Sequence, residues 1–470
     1  MFLIELIPGL VAFAVRWHVG EPKIATRLTT PLHLLVRDAA TTKISFAMLV
    51  PQFNFITTNI FLGHYSQQAL AIAGITGVYY LIFAMIGFGL NNGLQALISR
   101  RAGENRPEEI GKIFSQGIYI AMVIAAFGIL LTWFLAPIIL RNVIHSGDTA
   151  TKAIHFLNIR ICGLPFLYVY QMRNALLVGT NQSKYLIFGT LAEAITNIFF
   201  DYSFIFGHFG FPEIGFNGAA IASIIAEFTG MFVIFLVIWQ KGITKRFSLF
   251  SHMKWNATIT KKILSISTPL MFQLAVSLTS WVFFYILIEH HGQEALAISN
   301  IMRNIFGLIG CITWAFAATS AAMVSNIIGQ GKQDKVYPLV LKIITISSGV
   351  SLVICTLINL FPQILLSVFG QNASFTQHAI PVVRVVTFAM LLMSFSTIWL
   401  NAVTGTGNSR VTLLIEVITI ILYCLYIYLV LDKFFLAISY GWMSEWLYWI
   451  SLFIMSWLYI RSGKWKAKVI

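Results

Sequence analysis

Three polar residues at intervals of four, Glu193, Asn197 and Asp201, interrupt a strongly apolar run of the chain. In an α-helix this spacing places all three on one face. Two carboxylates and an amide on one face can bind a proton, or can coordinate a hard cation such as Na⁺ through oxygen atoms. Apolar surroundings favour the protonated form of a carboxylate and bring its titration towards neutral pH. The structural alternative is that Asp201 only caps or pairs near a helix end.

Other ionisable residues inside apolar runs are weaker candidates. Glu227 and Glu416 are further acids of this kind. Four arginines can serve as their ion-pair partners, or can extend to the membrane surface: Arg160, Arg173, Arg303 and Arg384. Glu445 lies among Trp442, Trp446 and Trp449, a pattern typical of an aromatic belt at the membrane interface.

No group of residues has the spacing of a metal site or of a catalytic nucleophile. The four cysteines, Cys162, Cys311, Cys355 and Cys424, are scattered singly through apolar segments, which indicates neither a metal site nor a disulfide framework. An enzyme would need a His/carboxylate metal site or a nucleophile with its base. We therefore predict a protein that is not an enzyme and that has no cofactor.

The composition identifies the environment of these residues. Of the 470 residues, 58% are hydrophobic and only 10% are charged, whereas soluble domains carry about 25% charged residues. A chain of this size with so little charge would expose a largely apolar surface to water. The sequence therefore predicts an integral membrane protein and excludes a soluble enzyme, a disulfide-rich secreted protein and a disordered protein.

Long apolar runs alternate with short polar joints after residue 43, and they predict an all-α protein, because each backbone group inside a bilayer must be satisfied within its own segment. We predict twelve transmembrane helices: 44–62, 68–98, 113–140, 154–178, 185–206, 217–239, 263–288, 295–325, 337–369, 376–403, 411–431 and 437–460. Residues 1–15 have neither the basic start of a signal peptide nor the length of a span.

The basic residues are concentrated on one side of the predicted membrane. The termini and the even-numbered joints hold 23 of the 31 Lys and Arg residues, and the opposite joints hold three. This asymmetry follows the positive-inside rule, so it places both termini in the cytoplasm. It also accounts for the net charge of +14 without a nucleic-acid partner. We predict a multi-pass protein of the cell (cytoplasmic, inner) membrane.

The sequence repeats itself at an offset of 226 residues. The run Gln67-x-Ala-Leu-Ala-Ile72 matches Gln293-x-Ala-Leu-Ala-Ile298, and Ser99 and Gly103 match Ser325 and Gly329. Six predicted helices per copy is an even number, so the copies have the same orientation, as in transporters with parallel repeats. Two matched six-helix bundles that rock about a central cleft would give alternating access.

The repeat and the charge pattern together divide the chain. We predict five segments: an N-terminal segment 1–43 that is partly interfacial and otherwise unassigned, an N-lobe 44–240 with helices one to six, a cytoplasmic linker 241–262, a C-lobe 263–460 with helices seven to twelve, and a basic cytoplasmic tail 461–470.

Several motifs resemble those of one transporter family. The run Asn197-Ile-Phe-Phe-Asp201-Tyr-Ser-Phe-Ile-Phe-Gly207, followed by Gly215-Phe-Asn-Gly-Ala-Ala-Ile-Ala-Ser223, is similar to the motif of the fifth and sixth helices in multidrug and toxic compound extrusion (MATE) transporters. Shorter matches are Leu62-Gly-His64, Gly179-Thr-Asn-Gln-Ser183, Ile328-Gly-Gln-Gly-Lys332 and Gly405-Thr-Gly-Asn-Ser409. The resemblance covers about residues 44–460.

The resemblance implies a V-shaped antiporter that exports amphipathic, often cationic, compounds in exchange for H⁺ or Na⁺. In one branch of the family the cation site lies in the N-lobe. Carried over, its residues are Asn174 of helix four, Asn197 and Asp201 of helix five, and Ser223 of helix six. The first-helix aspartate of that site falls on Thr58, or less favourably on Asn59. The loss of this carboxylate weakens a Na⁺ site, so we expect H⁺ coupling at Asp201, with Glu193 as a possible second titrating group.

The other branch uses a glutamate of helix seven and an aspartate of helix ten. Helix seven has no acid after Pro269, and helix ten has no aspartate, so we do not expect that C-lobe mechanism. The alternative function is a flippase for a lipid-linked sugar or another lipid, from a related transporter fold. In either case we expect a monomer in the lipid bilayer. The substrate-binding residues and the natural substrate are not predicted.

Overall fold

A computed structural model describes residues 54, 57–143, 147–251, 254–367 and 373–467. The predicted N-terminal segment 1–43 and most of the first predicted helix, 44–62, lie outside these residues. No strand occurs in the described part of the chain, so the all-α prediction is confirmed. The helices are rich in apolar residues, which suit a lipid environment, and their backbone groups are satisfied within each helix, as a bilayer requires.

We number the long helices α1 to α12 in chain order. They are α1 (57–65, as far as it is described), α2 (Gln67–Gly103), α3 (Pro107–Val143), α4 (Gly147–Arg160, continued as Leu164–Gly179), α5 (Leu186–Phe206), α6 (Phe216–Gln240), α7 (Ala257–Glu289), α8 (Gln293–Gly329), α9 (Val336–Leu360), α10 (Ala373–Gly405), α11 (Ser409–Ile427) and α12 (Ser444–Arg461).

Nine helices of the described residues are long and apolar enough to cross a membrane: α2, α3, α4 and α6 to α11. Helix α1 is described only in part. Helix α5 is less apolar because it carries Glu193, Asn197 and Asp201, and α12 is less apolar because it begins at Ser444 and Glu445 and is rich in Trp and Tyr. The multi-span prediction is therefore confirmed, and length and composition support nine of its twelve spans.

Two predicted helix boundaries are wrong. The ninth helix, predicted over 337–369, ends at Leu360, and a separate short helix follows at Pro362–Ser367. Pro362 has no amide hydrogen, and its ring disfavours the helical conformation at the preceding residue. The twelfth helix, predicted over 437–460, is interrupted at Met443, so that a short helix Ile438–Trp442 precedes α12.

The chain folds into two compact units, residues 46–271 and residues 272–470, as far as these are described. In the first unit α4 packs against α2, α3 and α6, and α5 packs along α6. In the second unit α10 packs against α8, α9 and α12, and α11 packs along α12. The fourth helix of each unit is thus its central helix. The same order of packing in both units agrees with the 226-residue repeat.

Small residues allow α5 and α6 to approach closely. Gly218, Ala222, Ala226 and Gly230 recur every four residues on α6, and all four are buried. A methyl group added at Gly218 would lie 2.8 Å from the backbone of Phe204 in α5. Close approach of this kind is the usual source of helix association in lipid, where apolar burial provides no driving force. It sets the position of the polar face of α5.

Helix α4 is broken near its middle. Residues Ile161–Gly163 form one 3₁₀ turn between its two halves, and Pro165 follows in the first turn of the second half. A proline at this position cannot donate the hydrogen bond that a continuous helix requires. Arg160, the last residue before the break, faces Glu227 of α6.

The tryptophans around Glu445 differ in their surroundings. Trp442 is completely buried, and its Nε1 donates a hydrogen bond to Ser299 Oγ at 3.1 Å. Trp446 Nε1 donates to the carbonyl oxygen of Val385 at 2.8 Å. The belt interpretation is therefore wrong for Trp442, because its indole is enclosed between neighbouring helices of its own unit. For the half-buried Trp446 it stays a prediction.

The α5–α6 contact leads to a stability prediction. Gly218→Ala should lower the free energy of unfolding by about 1–3 kcal/mol, because the new methyl group meets the backbone of Phe204 and not a movable side-chain end. The matched control is Gly349→Ala in α9, where a methyl group would contact nothing within 4 Å. That variant should be neutral or gain up to about 1 kcal/mol of helix propensity.

Thermal unfolding of the two purified variants in detergent, followed by tryptophan fluorescence, measures the difference. A Gly218→Ala variant with the midpoint of Gly349→Ala would contradict the close approach.

Candidate cation-coupling site

The polar stripe of α5 faces the interior of the first unit. Asp201 has no exposed surface and Asn197 is 6% exposed, while Glu193, nearer the start of α5, is half-buried. A carboxylate at the centre of a membrane helix costs about 2.5–3.5 kcal/mol on insertion scales. The complete burial of Asp201 therefore calls for a compensating partner or for a proton.

Asp201 has one close partner, Thr58 of α1. The Thr58 hydroxyl donates a hydrogen bond to Asp201 Oδ2 at 2.6 Å, and it lies 3.4 Å from Asn197 Oδ1. Asp201 Oδ1 and Asn197 Nδ2 are buried without a hydrogen-bond partner among the described residues. Asp201 Oδ1 thus remains available to accept a proton, a cation or a hydrogen bond from water, and the Asn197 Nδ2 group remains available to donate a hydrogen bond.

No ion pair forms on Asp201 within the described part of the chain. The nearest cationic influence is Arg160, whose charge acts on both Asp201 and Glu193. Arg160 is itself held by Glu227, as described below. Asp201 is therefore a buried carboxylate whose direct contact is a hydrogen bond and not an ion pair, and a group in that situation can change its protonation state during a transport cycle.

The other residues predicted for the site are less tightly joined to Asp201. Asn174 lies on α4 beside the Tyr170 hydroxyl, with its Oδ1 buried and unpartnered. Ser223 is half-buried on α6, next to the small residue Ala222. Among the described residues no hydrogen bond joins Asn174 or Ser223 to Asp201. The structure thus brings together Thr58, Asn197 and Asp201.

Glu193 belongs to a separate cluster. It lies eight residues before Asp201, or about 12 Å along the helix, and its side chain packs against Gly230 of α6. The charges of Arg173, Arg160 and Glu227 act on it. The spacing of four residues correctly predicted a common face, but the two carboxylates have different neighbours along that face.

An ion pair between Arg160 and Glu227 lies at the break in α4. Arg160 Nη2 donates to Glu227 Oε1 at 2.5 Å and Nη1 donates to Oε2 at 3.1 Å. The Tyr80 hydroxyl of α2 donates to Glu227 Oε1 at 3.1 Å, and the Arg160 guanidinium stacks 3.8 Å from the Tyr80 ring centroid. A methyl group at Gly163 would lie 2.4 Å from Glu227 Oε2, so this glycine provides the space for the pair.

The sequence offered Arg160 as one of four arginines that could pair with Glu227 or Glu416, but it did not single out the Arg160–Glu227 pair, and it gave no sign of Tyr80. The three residues come from α4, α6 and α2, which are adjacent only in the folded unit. Sequence spacing contains no signal for such a contact.

Arg173 is completely buried and does not extend to a membrane surface. Its Nη1 donates to the carbonyl oxygen of Met231 at 3.0 Å and lies 3.4 Å from that of Gly230. Its guanidinium also lies 4.7 Å from the Tyr170 ring centroid. Arg173 therefore joins α4 to the backbone of α6. Within the ranges that the structure describes, no group of three or more His, Cys, Asp or Glu residues could hold a metal ion.

Two repeated units of membrane-spanning helices, one with a buried carboxylate among unpartnered polar atoms, define a multi-pass membrane transporter. The family model described as MatE matches the chain twice, over residues 44–203 and again over 269–429. The chain therefore belongs to the MatE family of multidrug efflux transporters, as its motifs predicted. The two matches lie one repeat apart, which supports the duplication.

Related proteins agree with this assignment. The chain is 24% identical over 421 residues to the probable multidrug resistance protein NorM of Thermotoga maritima, covering 87% of this chain and 88% of that protein. It is 24% identical over 380 residues to the uncharacterized transporter YisQ of Bacillus subtilis, covering 78% and 82%.

Solved structures show the same fold. A crystal structure of MATE in complex with MaL6 has a TM-score of 0.84 at 17% identity and covers 93% of this chain and 99% of that one. The structure of a MOP superfamily transporter from Pyrococcus furiosus has a TM-score of 0.82 at 17% identity, and the match covers 93% of this chain and 100% of that one. For that transporter a reverse polarity of the binding pocket is reported to suggest a different function.

The Arg160–Glu227 pair leads to a second stability prediction. Glu227→Gln should lower the free energy of unfolding by about 3–5 kcal/mol, because it leaves the Arg160 charge buried without compensation. Thermal unfolding in detergent measures the effect. The matched control is Asp148→Asn, which breaks the exposed pair of Asp148 with Lys152, 2.6 Å apart, and should change stability little. Equal midpoints for the two variants would contradict the assignment of a buried pair.

Proposed function

We propose that this protein is a secondary antiporter that exports amphipathic, cationic organic compounds in exchange for H⁺, with Asp201 as the proton-binding group. In this proposal it works as a monomer in the cytoplasmic membrane, with both termini in the cytoplasm. The names of the NorM relatives, probable multidrug resistance proteins, support organic drugs or metabolites as the exported class.

The observation that carries the proposal is the hydrogen bond between Thr58 and Asp201. It joins α1 to α5 at a carboxylate with no exposed surface and no ion pair within the described residues. The ionised carboxylate can only accept hydrogen bonds, whereas the protonated acid also donates one. Proton binding therefore removes a buried charge and changes the contact between two helices in a single event, as coupling in an alternating-access cycle requires.

The residue at position 58 favours H⁺ over Na⁺ as the coupling ion. Among the described residues Asp201 is the one carboxylate that accepts a hydrogen bond from Thr58, whose hydroxyl also lies 3.4 Å from Asn197 Oδ1. A proton neutralises this carboxylate completely and requires no further ligands. Na⁺ would need several oxygen ligands around the same single charge, from Asn197, Thr58, and also from Asn174 and Ser223 as the family pattern implies. We assign Glu193 a secondary role, because Arg173 and Glu227 already occupy its electrostatic surroundings.

Transport in vesicles tests this proposal. The purified protein is reconstituted into liposomes loaded with ethidium, and a proton gradient and a Na⁺ gradient are imposed in separate experiments. The wild type should move ethidium under the proton gradient. Asp201→Asn should lose at least 90% of that movement, because the amide cannot titrate, whereas Glu193→Gln should keep part of it.

The control variant is Glu213→Gln, in the exposed segment between α5 and α6, and it should transport like the wild type. Movement driven only by Na⁺ would overturn the choice of ion. If neither gradient moved ethidium, the proposed antiport of cations would fail, and a lipid-scrambling assay would then test the flippase alternative.

A gain-of-function variant tests the role of position 58. Thr58→Asp introduces a second carboxylate within reach of Asp201, which is 2.6 Å from the Thr58 hydroxyl in the wild type. The doubled charge should favour a hard cation, so ethidium movement driven by a Na⁺ gradient should increase several-fold. Thr58→Val, which removes the hydrogen bond without adding charge, should not increase it. A Thr58→Asp variant without any Na⁺ response would show that this position does not select the ion.

A further inference from the structure

The second unit contains two buried carboxylates that the mechanism above does not use. Glu416 of α11 is 1% exposed and Glu445 of α12 is 2% exposed. Neither forms an ion pair in the part of the chain that the structure describes. An ionised carboxylate buried without a cation is strongly unfavourable, and such a group takes up a proton instead.

Glu416 has donors on both oxygens. The Tyr448 hydroxyl of α12 donates to Glu416 Oε1 at 2.5 Å, and Gln273 Nε2 of α7 donates to Oε2 at 3.3 Å. Ser277, one turn further along α7, also faces the carboxylate. Hydrogen bonds from donors favour the ionised form, whereas burial favours the protonated form. A group under these two opposing influences can both bind and release a proton.

Glu445 lies among buried hydroxyl and indole donors. Tyr423 of α11 and Trp449 of α12 face its carboxylate. The Tyr423 hydroxyl and Trp449 Nε1 are buried and have no other hydrogen-bond partner among the described residues. Buried donors are almost always paired, so the Glu445 carboxylate is the acceptor for which these two donors are placed.

Tyr448 connects the two acids. Its hydroxyl contacts Glu416, and its ring lies 5.8 Å from the Tyr423 ring and 4.6 Å from the Trp449 ring, by centroids. Tyr448 lies three residues after Glu445, and Tyr423 lies seven residues after Glu416, so each pair shares one helix face. We call this set the C-unit seam: Gln273, Ser277, Glu416, Tyr423, Glu445, Tyr448 and Trp449.

The remaining titratable groups around the seam come from neighbouring helices. Tyr285 of α7 faces both Glu445 and Tyr423, and the Arg303 guanidinium of α8 lies 5.4 Å from the Tyr285 ring centroid. Cys424 adjoins Tyr423. The Arg303 guanidinium thus contacts the Tyr285 ring, and among the described residues it forms no ion pair with Glu416 or Glu445.

The seam is not a copy of the α5 site. At the repeat offset of 226 residues, Glu416 corresponds to Thr190 and Glu445 to Ala219, while Asp201 corresponds to Ile427. Duplication therefore did not supply these acids, and the two units carry their carboxylates at different helices. The buried acids of the second unit therefore have no counterparts among the acids of the first unit.

We propose that the C-unit seam is a second proton-binding site, in which Glu416 and Glu445 take up and release H⁺ and the Tyr448 and Tyr423 hydroxyls pass it between them. A hydroxyl accepts one proton while it donates another, so the transfer leaves each tyrosine unchanged. Proton binding by the seam does not depend on the proposed function of Asp201. Its use in transport rests on that proposal.

Infrared difference spectroscopy of the full-length protein in lipid vesicles tests the site directly. The carbonyl stretch of protonated carboxyl groups is recorded as the pH is raised, in an Asp201→Asn/Glu193→Gln background that removes both acids of the α5 stripe. The buried-carboxyl signal should persist in this background. Glu416→Gln and Glu445→Gln should each remove about half of it. The matched control, Glu289→Gln at the exposed end of α7, should leave it unchanged.

Tyr448→Phe provides a second test that keeps both acids. It removes a donor that favours the ionised form of Glu416, so the titration midpoint should move to higher pH, by about one unit for a tenfold gain in proton affinity. A purely structural tyrosine would lower thermal stability without moving this midpoint.

A buried-carboxyl signal that is the same in Glu416→Gln, Glu445→Gln and Glu289→Gln would overturn the proposal, as would an unmoved midpoint in Tyr448→Phe. The outcome is separable from that of the transport experiment. A signal that follows Glu416 and Glu445 while no proton gradient drives ethidium would support the seam and refute proton antiport. The reverse result would refute the seam alone.

Discussion

The cost of ionising a carboxylate away from water is the constraint on which the polar architecture of this protein depends. Four acids are buried in the helices that the structure describes, and they meet this cost in different ways. Glu227 has a cation, Arg160, in a two-point contact. Asp201 has a single short hydrogen bond from Thr58. Glu416 and Glu445 have hydroxyl, amide and indole groups around them and no ion pair among the described residues.

This difference separates structural from functional acids. A bidentate arginine pair stabilises a permanent charge and gives it a fixed geometry, so Glu227 is suited to hold α2, α4 and α6 together. A carboxylate held only by uncharged donors has no permanent counter-charge, so it can exchange a proton at small structural cost. This criterion favours Asp201, Glu416 and Glu445 as the proton-exchanging groups of the two proposals, and it assigns the Arg160–Glu227 pair to the scaffold.

The duplicated scaffold carries different chemistry in its two units. The order of packing is the same, with the fourth helix of each unit at the centre and the fifth helix along the sixth. Helix packing in lipid depends on small residues and close contact, which repeat with the duplication. Polar groups can be added or lost singly wherever neighbours satisfy them, so the α5 site and the C-unit seam occupy positions that do not correspond in the repeat.

The sequence by itself determined the class of the protein. Apolar runs, the basic asymmetry, the 226-residue repeat and the motifs around Asp201 were sufficient for an all-helical MATE-type membrane protein, because a bilayer allows few ways to satisfy a backbone. The stripe of Glu193, Asn197 and Asp201 was also evident, since helical periodicity is a local property. The helix breaks after Leu360 and at Met443 could not be predicted from the sequence, because apolar residues continue through both of them.

Only the tertiary structure decided which polar groups meet. The contact of Thr58 with Asp201 spans 143 residues of sequence, and that of Tyr80 with Glu227 spans 147. The seam around Glu416 and Glu445 required α7, α11 and α12 to be packed, and the same packing buries Trp442 where composition had indicated a membrane interface. Contacts of this kind depend on which helix faces are turned towards each other, and that orientation arises from the sum of many small packing contacts and not from any local pattern of residues.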